Sequence, residues 1–434
     1  MYLKGSKWNM NRRTKRANPW RVIILLALVG AAIYVNQVIV PATPPLFIPT
    51  PTPTIPPESF VTKAQELEAQ GKYAQAIAAY GDAIKADPQN PALHLSLARL
   101  QIFAARYDEA ISTAGNAMLL SPNNSQALVL QSWAKGMAGD FVGAEEGINT
   151  AVQTDPTNAL AYAVRSIILS MRDLAGQARA ETRDEAIESS RTAESMAPEM
   201  METLWARGLI LEITANYQEA QAKYQSAIQI NDKIPELHVS LGRTYRALQD
   251  ADKAIEEFNR ANALNPSDPN PLTLIARTYA NQGDFGPAIQ YASDAVKNAP
   301  NDPEMYGNLG WLLYHNFQYT DSIINLQLAI QGGTNLDGIV VEGMPLDYGR
   351  VAEYYYTYGL ALAKLGYCNE ALPIAQALLN GVRDDEIAIF NAQEIINVCQ
   401  TFMDSGEPTP LPLTTPTRTP QAPGEVTATP AATP

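Results

Sequence analysis

The sequence is poor in the side chains that build metal centres and nucleophilic sites, with two cysteines and three histidines in 434 residues. Cys368 and Cys399 stand too far apart for a metal knuckle, and only His94, His238 and His315 could supplement them, which excludes a structural zinc site. No Ser-His-Asp or Cys-His arrangement, phosphate-gripping glycine loop or pair of metal ligands is present. The sequence therefore predicts neither an enzyme nor a cofactor. Positive charge is equally scarce outside one short segment. Lys4, Lys7, Arg12, Arg13, Lys15, Arg16 and Arg21 precede the first long apolar run without a single acid, and removing their seven charges from the formal −14 leaves about −21. A remainder so acidic repels phosphate, and with no basic stripe to overcome this, nucleic acid is excluded as a partner.

One long hydrophobic run is present. Val22 to Val40 spans 19 residues without a charge, which as a helix reaches roughly 28 Å, close to the thickness of a bilayer core. Trp20 and Arg21 suit an interfacial anchor, and Pro41 ends the run. The basic residues before it predict residues 1–21 as a cytoplasmic segment, residues 22–40 as a transmembrane signal anchor and everything beyond as extracytoplasmic. A cleaved signal peptide is the alternative, because Val22 to Tyr34 also fits a signal core. The following Pro/Thr-rich stretch, residues 41–57, forbids helix and reads as an extended spacer, and residues 404–434 read as a disordered tail of the same composition.

Between these tracts the sequence repeats itself every 34 residues. Ala76, Ala110 and Ala144 keep this interval, as do Ala186, Ala220, Ala254 and Ala288, with Ser322 in the next slot. A second alanine follows each seven residues later, and Pro88, Pro122, Pro156, Pro198, Pro266 and Pro300 mark the turns between repeats. Two small residues seven apart lie on one face of a helix, where they let a second helix cross closely. Tyr80, Tyr224, Phe258 and Leu326 fill the space between them, and glycine-aromatic pairs such as Gly71 to Tyr73 and Gly139 to Phe141 separate the two helices of a repeat.

This pattern resembles the tetratricopeptide repeat, most closely in HVSLGRTYRALQDADKAIEEFNRANALNP, His238 to Pro266. The resemblance implies an all-α, right-handed superhelical solenoid over residues 58–403. Nine helix pairs are expected, beginning near Pro57, Pro91, Ser125, Ala159, Met201, Pro235, Pro269, Pro303 and Ala352, with a capping helix after them. Eight extra residues fall in the fourth repeat, between Ala144 and Ala186. A fifteen-residue insert, residues 335–349, is expected to be a loop with an extended segment at Ile339 to Val341, either covering the inner face or leading away from it.

The family takes its ligands mainly on the first helix of each pair, and its contact slots place Arg99, Trp133, Arg243, Arg277 and Trp311 at the ninth position, Arg246 at the twelfth and Asn308 at the sixth. Arg243, Arg246 and Arg277 are expected to converge on an acidic protein or peptide ligand, unless they pair with Glu212, Asp250 or Glu236. The clamp by which some members hold chaperone tails is not matched, since Val61, Leu95 and Val129 fill its fifth-position slots. The functional expectation is a membrane-anchored scaffold outside the membrane, with a glycan-binding module as the alternative, resting on Tyr348, Tyr354, Tyr355, Tyr356 and Tyr358. Cys368 and Cys399 fall where helix ends should meet, and read as a disulfide or as two buried thiols. The sequence leaves the oligomeric state open.

Overall fold

The computed structural model describes residues 18–39 and 56–405. Most of the basic segment, nearly all of the spacer 41–57 and nearly all of the tail 404–434 lie outside the described residues. The chain divides into two units, Met1–Pro56 and Pro57–Pro434.

In the first unit, Pro19–Tyr34 is helix α1, continued by a π turn over Val35–Ile39. Asn18 caps it by accepting from the Trp20 amide at 3.2 Å, and the proline at its start has no amide to leave unsatisfied. The stretch Pro19–Val38 is long and apolar enough to cross a membrane or to serve as a signal sequence.

Among the described residues the second unit has nineteen helices, which pair as α2 (Pro57–Ala69) with α3 (Tyr73–Ala86), α4 (Pro91–Phe103) with α5 (Tyr107–Leu120), and α6 (Ser125–Met137) with α7 (Phe141–Thr154). The series continues with α8 (Ala159–Leu174) and α9 (Thr182–Met196), α10 (Met201–Ile213) and α11 (Tyr217–Ile230), and α12 (Pro235–Ala247) and α13 (Ala251–Leu264). Next come α14 (Asn270–Asn281) and α15 (Phe285–Asn298), then α16 (Pro303–His315) and α17 (Tyr319–Gln331). The last pair is α18 (Arg350–Lys364) and α19 (Cys368–Gly381), followed by the single helix α20 (Glu386–Ser405).

Four of the first helices start where an amide or carboxylate side chain caps them. Asn90, Asn124, Asn158 and Asp302 each accept from a backbone amide of the first turn. Within each pair the alanine slots are closed to solvent, from Ala76 and Ala83 to Ala288 and Ala295. Ser322, in the eighth of these slots, is fully buried and satisfies its hydroxyl by donating to Gly310 O at 2.7 Å. Glycine opposite the large residue is required by contact: a Cβ on Gly242 would stand 2.5 Å from the Phe258 ring.

The fourth repeat uses its extra residues both ways, in a 16-residue α8 and in the turn that follows it. Glu145 ties that turn down through Arg172 and Arg179. The insert at 335–349 leads into a two-stranded hairpin, in which β1 (Gly333–Thr334) pairs antiparallel with β2 (Val340–Val341). It docks on the edge where repeats join, with the Asn335 amide donating to Tyr306 Oη at 2.8 Å and Tyr355 Oη donating to Met344 O at 2.9 Å. Successive first helices touch one another, α4 with α6, α6 with α8, α8 with α10 and α16 with α18. These first helices form one layer of the array, called the inner layer from here on.

Candidate functional site

The inner layer differs sharply between its two halves. In the first half it is filled by its own side chains. Phe103, Trp133 and Trp205, from α4, α6 and α10, stack edge to face with centroids 5.9 and 6.0 Å apart, and Trp133 is fully buried. This corrects the expectation for Trp133: the ninth slot of the third repeat faces another first helix, and its indole is core. Arg99 is likewise committed, its guanidinium lying over the Phe103 ring and holding Glu202 Oε1 at 2.7 Å. Glu202 stands 103 residues away, at the start of α10.

In the second half the arginines form a row. Arg243 grips the buried carboxylate of Glu212 through Nε at 2.7 Å and Nη2 at 3.1 Å, and Tyr224 Oη donates to the same carboxylate at 2.6 Å. Burial works against the charge on Arg243, but Glu212 outweighs it and its pKa lies above the usual arginine range. The Tyr224 hydroxyl is pushed well up by burial and by Glu212. Arg243 is therefore a structural cation, as the pairing alternative anticipated.

Among the described residues the Arg246 guanidinium makes no hydrogen bond or ion pair, although its backbone carbonyl accepts from the Gln249 amide. Its pKa is lowered by burial and by the neighbouring charges of Arg277 and Arg243. It opens on a recess of about 470 Å³ lined also by Gln249, Thr278, Asn281 and Gln282. One repeat on, Arg277 donates to Asn308 Oδ1 at 2.9 Å and lies 3.6 Å from Glu304, itself half exposed. Its pKa is also lowered, by burial first and then by the charge of Arg350.

Asn308 corrects a second expectation. It is buried, and its single oxygen accepts from Arg277, from Arg350 at 3.0 Å and from Tyr354 at 3.0 Å. Rather than contact a ligand it holds two arginines side by side. Donors remain unspent there: Arg277 Nε, Arg350 Nε and Asn308 Nδ2 are buried without a partner. Trp311 is partly buried, its ring tilted against His315 with centroids 4.1 Å apart and with Arg350 5.6 Å over it.

Arg350 was not singled out from the sequence. It precedes the ninth repeat just after the insert, where the 34-residue register is broken, so no slot pointed to it. The tyrosine cluster is a further correction. Tyr354 and Tyr358 are buried and Tyr355 and Tyr356 partly so, leaving Tyr348 as the exposed member. The stacking surface that motivated a glycan-binding module is spent on packing α18. His238 is core, with Glu257 Oε2 at 2.6 Å from Nδ1 and Asp232 O at 3.0 Å from Nε2.

The family profile described as tetratricopeptide repeat matches residues 67–134, 214–278 and 247–312. Over those residues the chain carries tetratricopeptide repeats. Such repeats build scaffolds that bind protein partners and are typically non-enzymatic. The repeat protein is 27% identical over 180 residues to human tetratricopeptide repeat protein 6, covering 40% of this chain and 32% of the relative. It is 25% identical over 107 residues to subunit 6 of the Arabidopsis thaliana anaphase-promoting complex, covering 25% of this chain and 20% of that one. The chain thus spans a third or less of the curated relatives it matches here. Among solved structures it is similar to the APC/C hetero-tetramer Cut9-Hcn1, with 19% identity, a TM-score of 0.43 and coverage of 58% of this chain and 48% of the other. It is also similar to Pseudomonas aeruginosa PilF, with 18% identity, a TM-score of 0.37 and coverage of 47% and 90%.

Proposed function

We propose that this tetratricopeptide-repeat protein is a scaffold tethered by α1 to the outer side of a membrane, and that the inner face of repeats six to nine holds an acidic segment of a protein partner. The reading takes the array as a right-handed superhelix whose first helices line that face. The observation that carries it is Arg246, a half-buried cation without a partner, beside a recess and next to Arg277. A partly buried guanidinium beside two other cations and without a direct ion pair is costly, and a carboxylate from outside would offset that cost. Arg277 and Arg350, each about one third exposed, extend the row along the face. Export is supported by the apolar α1, by the basic residues before it and by the bond between Cys368 and Cys399, since disulfides persist in oxidising compartments.

Binding is tested with a labelled glutamate-rich peptide. Changing Arg246 and Arg277 together to alanine should weaken binding by tenfold or more, about 1.4 kcal/mol, while the helical melting curve stays nearly unchanged. Equal binding by the double variant would sink the assignment. Topology is tested separately, with C-terminal reporter fusions. Activity of the fusion only in the cytoplasm would reject the proposed orientation, and a mature N-terminus beyond Val40 would show that α1 is removed.

A further inference from the structure

The coil closes on itself. Repeats one and two meet repeats five and six through three polar pairs: Tyr73 Oη donates to Asn231 Oδ1 at 2.8 Å, Tyr107 Oη donates to Glu236 Oε1, and Arg99 holds Glu202 at 2.7 Å. The stem of Lys233 lies against Gly71, where a Cβ would come within 2.6 Å of it. These contacts join residues more than a hundred positions apart, yet side-chain tips make them. No helix of repeats one and two packs along a helix of repeats five or six. A recess of about 380 Å³ remains open in the seam between Lys72, Arg106 and Lys233. The apolar core of repeat one, Ala64 to Leu100, is a cluster of its own, separate from the one that runs from Ala98 to Ile275.

Glu202 is the unusual member of this seam. Its carboxylate is buried, one oxygen rests on Arg99 and the other has no partner. Arg99, by contrast, is nearly half exposed. A carboxylate at the second slot of the fifth repeat therefore sits on the arginine at the ninth slot of the second, on the face where these repeats take ligands. The pairing leaves half of the acid's hydrogen-bonding capacity unused, so the contact is a poor one for so deep a site.

We propose that repeats one and two form a clasp that opens from repeats five and six, and that Glu202 in the closed clasp occupies on Arg99 the place an acidic segment of a partner takes when the clasp is open. This rests on the reading of the inner face as a surface for acidic segments. The seam also carries a titratable group. Burial first, and then Asp268, raise the carboxyl of Glu236 to about 8. It faces Tyr107 from α5, Asp268 from the turn before α14 and Arg243 from its own helix, and Arg243 is committed to Glu212. Opening would return Glu236 towards its ordinary value of 4.5, so closing takes up a proton. The closed form is favoured at low pH and loses ground as pH rises to about 8.

Nitroxide labels on Ala78→Cys in α3 and Ala222→Cys in α11, both exposed positions, report the clasp in the full-length chain by pulsed dipolar spectroscopy. Cys368 and Cys399 are bonded to each other and take no label. The longer-distance population should grow several-fold in Glu202→Gln, in the milder Tyr107→Phe, and between pH 6 and pH 9. One distance distribution in all of these would overturn the clasp. The role of Glu202 is read separately, in the Arg246→Ala/Arg277→Ala background. There Glu202→Gln should raise binding of the glutamate-rich peptide several-fold, and adding Arg99→Ala should remove the gain. Changed distances with no gain in binding would reject Glu202 as the internal occupant even if the outer arginine row is correct.

Discussion

Four arginines of one inner face carry different duties, and the difference lies in what each can reach. Arg243 and Arg246 are three residues apart on α12, but Arg243 is hydrogen-bonded to the buried Glu212, whereas Arg246 feels Glu212 only at a distance and is opposed more strongly by Arg277 and Arg243. Removing Arg243 strands a carboxylate that is 7% exposed and shared with Tyr224. Arg243→Ala is therefore expected to cost about 3–5 kcal/mol of stability, read as a fall in the denaturant midpoint. Arg246→Ala should cost little or even stabilise, because a cation under repulsion is lost. Equal midpoints for the two variants would contradict the division of roles. The slot rule of the repeat family pointed to both residues, since slot position sets which face a side chain leaves from. Glu212, at the twelfth slot of the preceding repeat, was marked as a pairing candidate, but which of the two arginines it would take depends on side-chain reach and was not legible. The same limit applied to Trp133, whose slot was right and whose neighbour, Trp205, was not foreseen.

At the scale of elements the sequence was legible almost to the residue. Expected repeat starts at Pro57, Pro91, Ser125, Ala159, Met201, Pro235 and Pro303 coincide with the first residues of first helices, and at all of these but Met201 a proline or a preceding Asn or Asp fixes the start by local chemistry. The seventh and ninth deviate where that chemistry changes: Pro269 is the cap of α14, and α18 begins at Arg350 after the insert. The insert was the harder case, as its hydrogen bonds go to Tyr306, Pro300 and Ala329, none near in sequence. At the other end of α18 the last pair is fastened to its cap. Cys368 opens α19, Cys399 lies inside α20, and the bond between them spans a separation of 31 residues with the Cα atoms 5.4 Å apart. A loop of that size is worth about 3–4 kcal/mol in the chain-entropy account. Reduction, or Cys368→Ser with Cys399→Ser, should lower the melting temperature and increase hydrogen exchange first in α20. Uniform loss of protection along the array would mean that the cap is not an independent unit. Repeat arrays couple mainly through neighbouring interfaces, so the loss should stay local.

The closure of the whole coil was the feature least legible in the sequence, and the reason is physical. A 34-residue pattern records contacts within a repeat and with its neighbours, whereas the meeting of repeat one with repeat six depends on the summed small rotations of all the interfaces between them. Its contacts, Tyr73 with Asn231 and Tyr107 with Glu236, leave no periodic mark. They do leave a titration. Glu236 is held near 8 in the folded protein, above its ordinary 4.5, by burial and by Asp268, and Asp268 is itself raised by burial. A carboxyl with a raised folded pKa binds its proton more tightly in the folded state, so its contribution is fully present below about 4.5 and is lost progressively as pH rises to about 8. Glu236→Gln keeps the shape and the neutral charge of the protonated acid without titrating. The variant should therefore match the wild type near pH 4.5 and exceed it near pH 8.5 in denaturant midpoint, the gap widening steadily between. Parallel pH profiles for the two proteins would show that Glu236 is solvated and ionised in the folded chain, and that the seam between repeats two and six is wetter than its geometry implies.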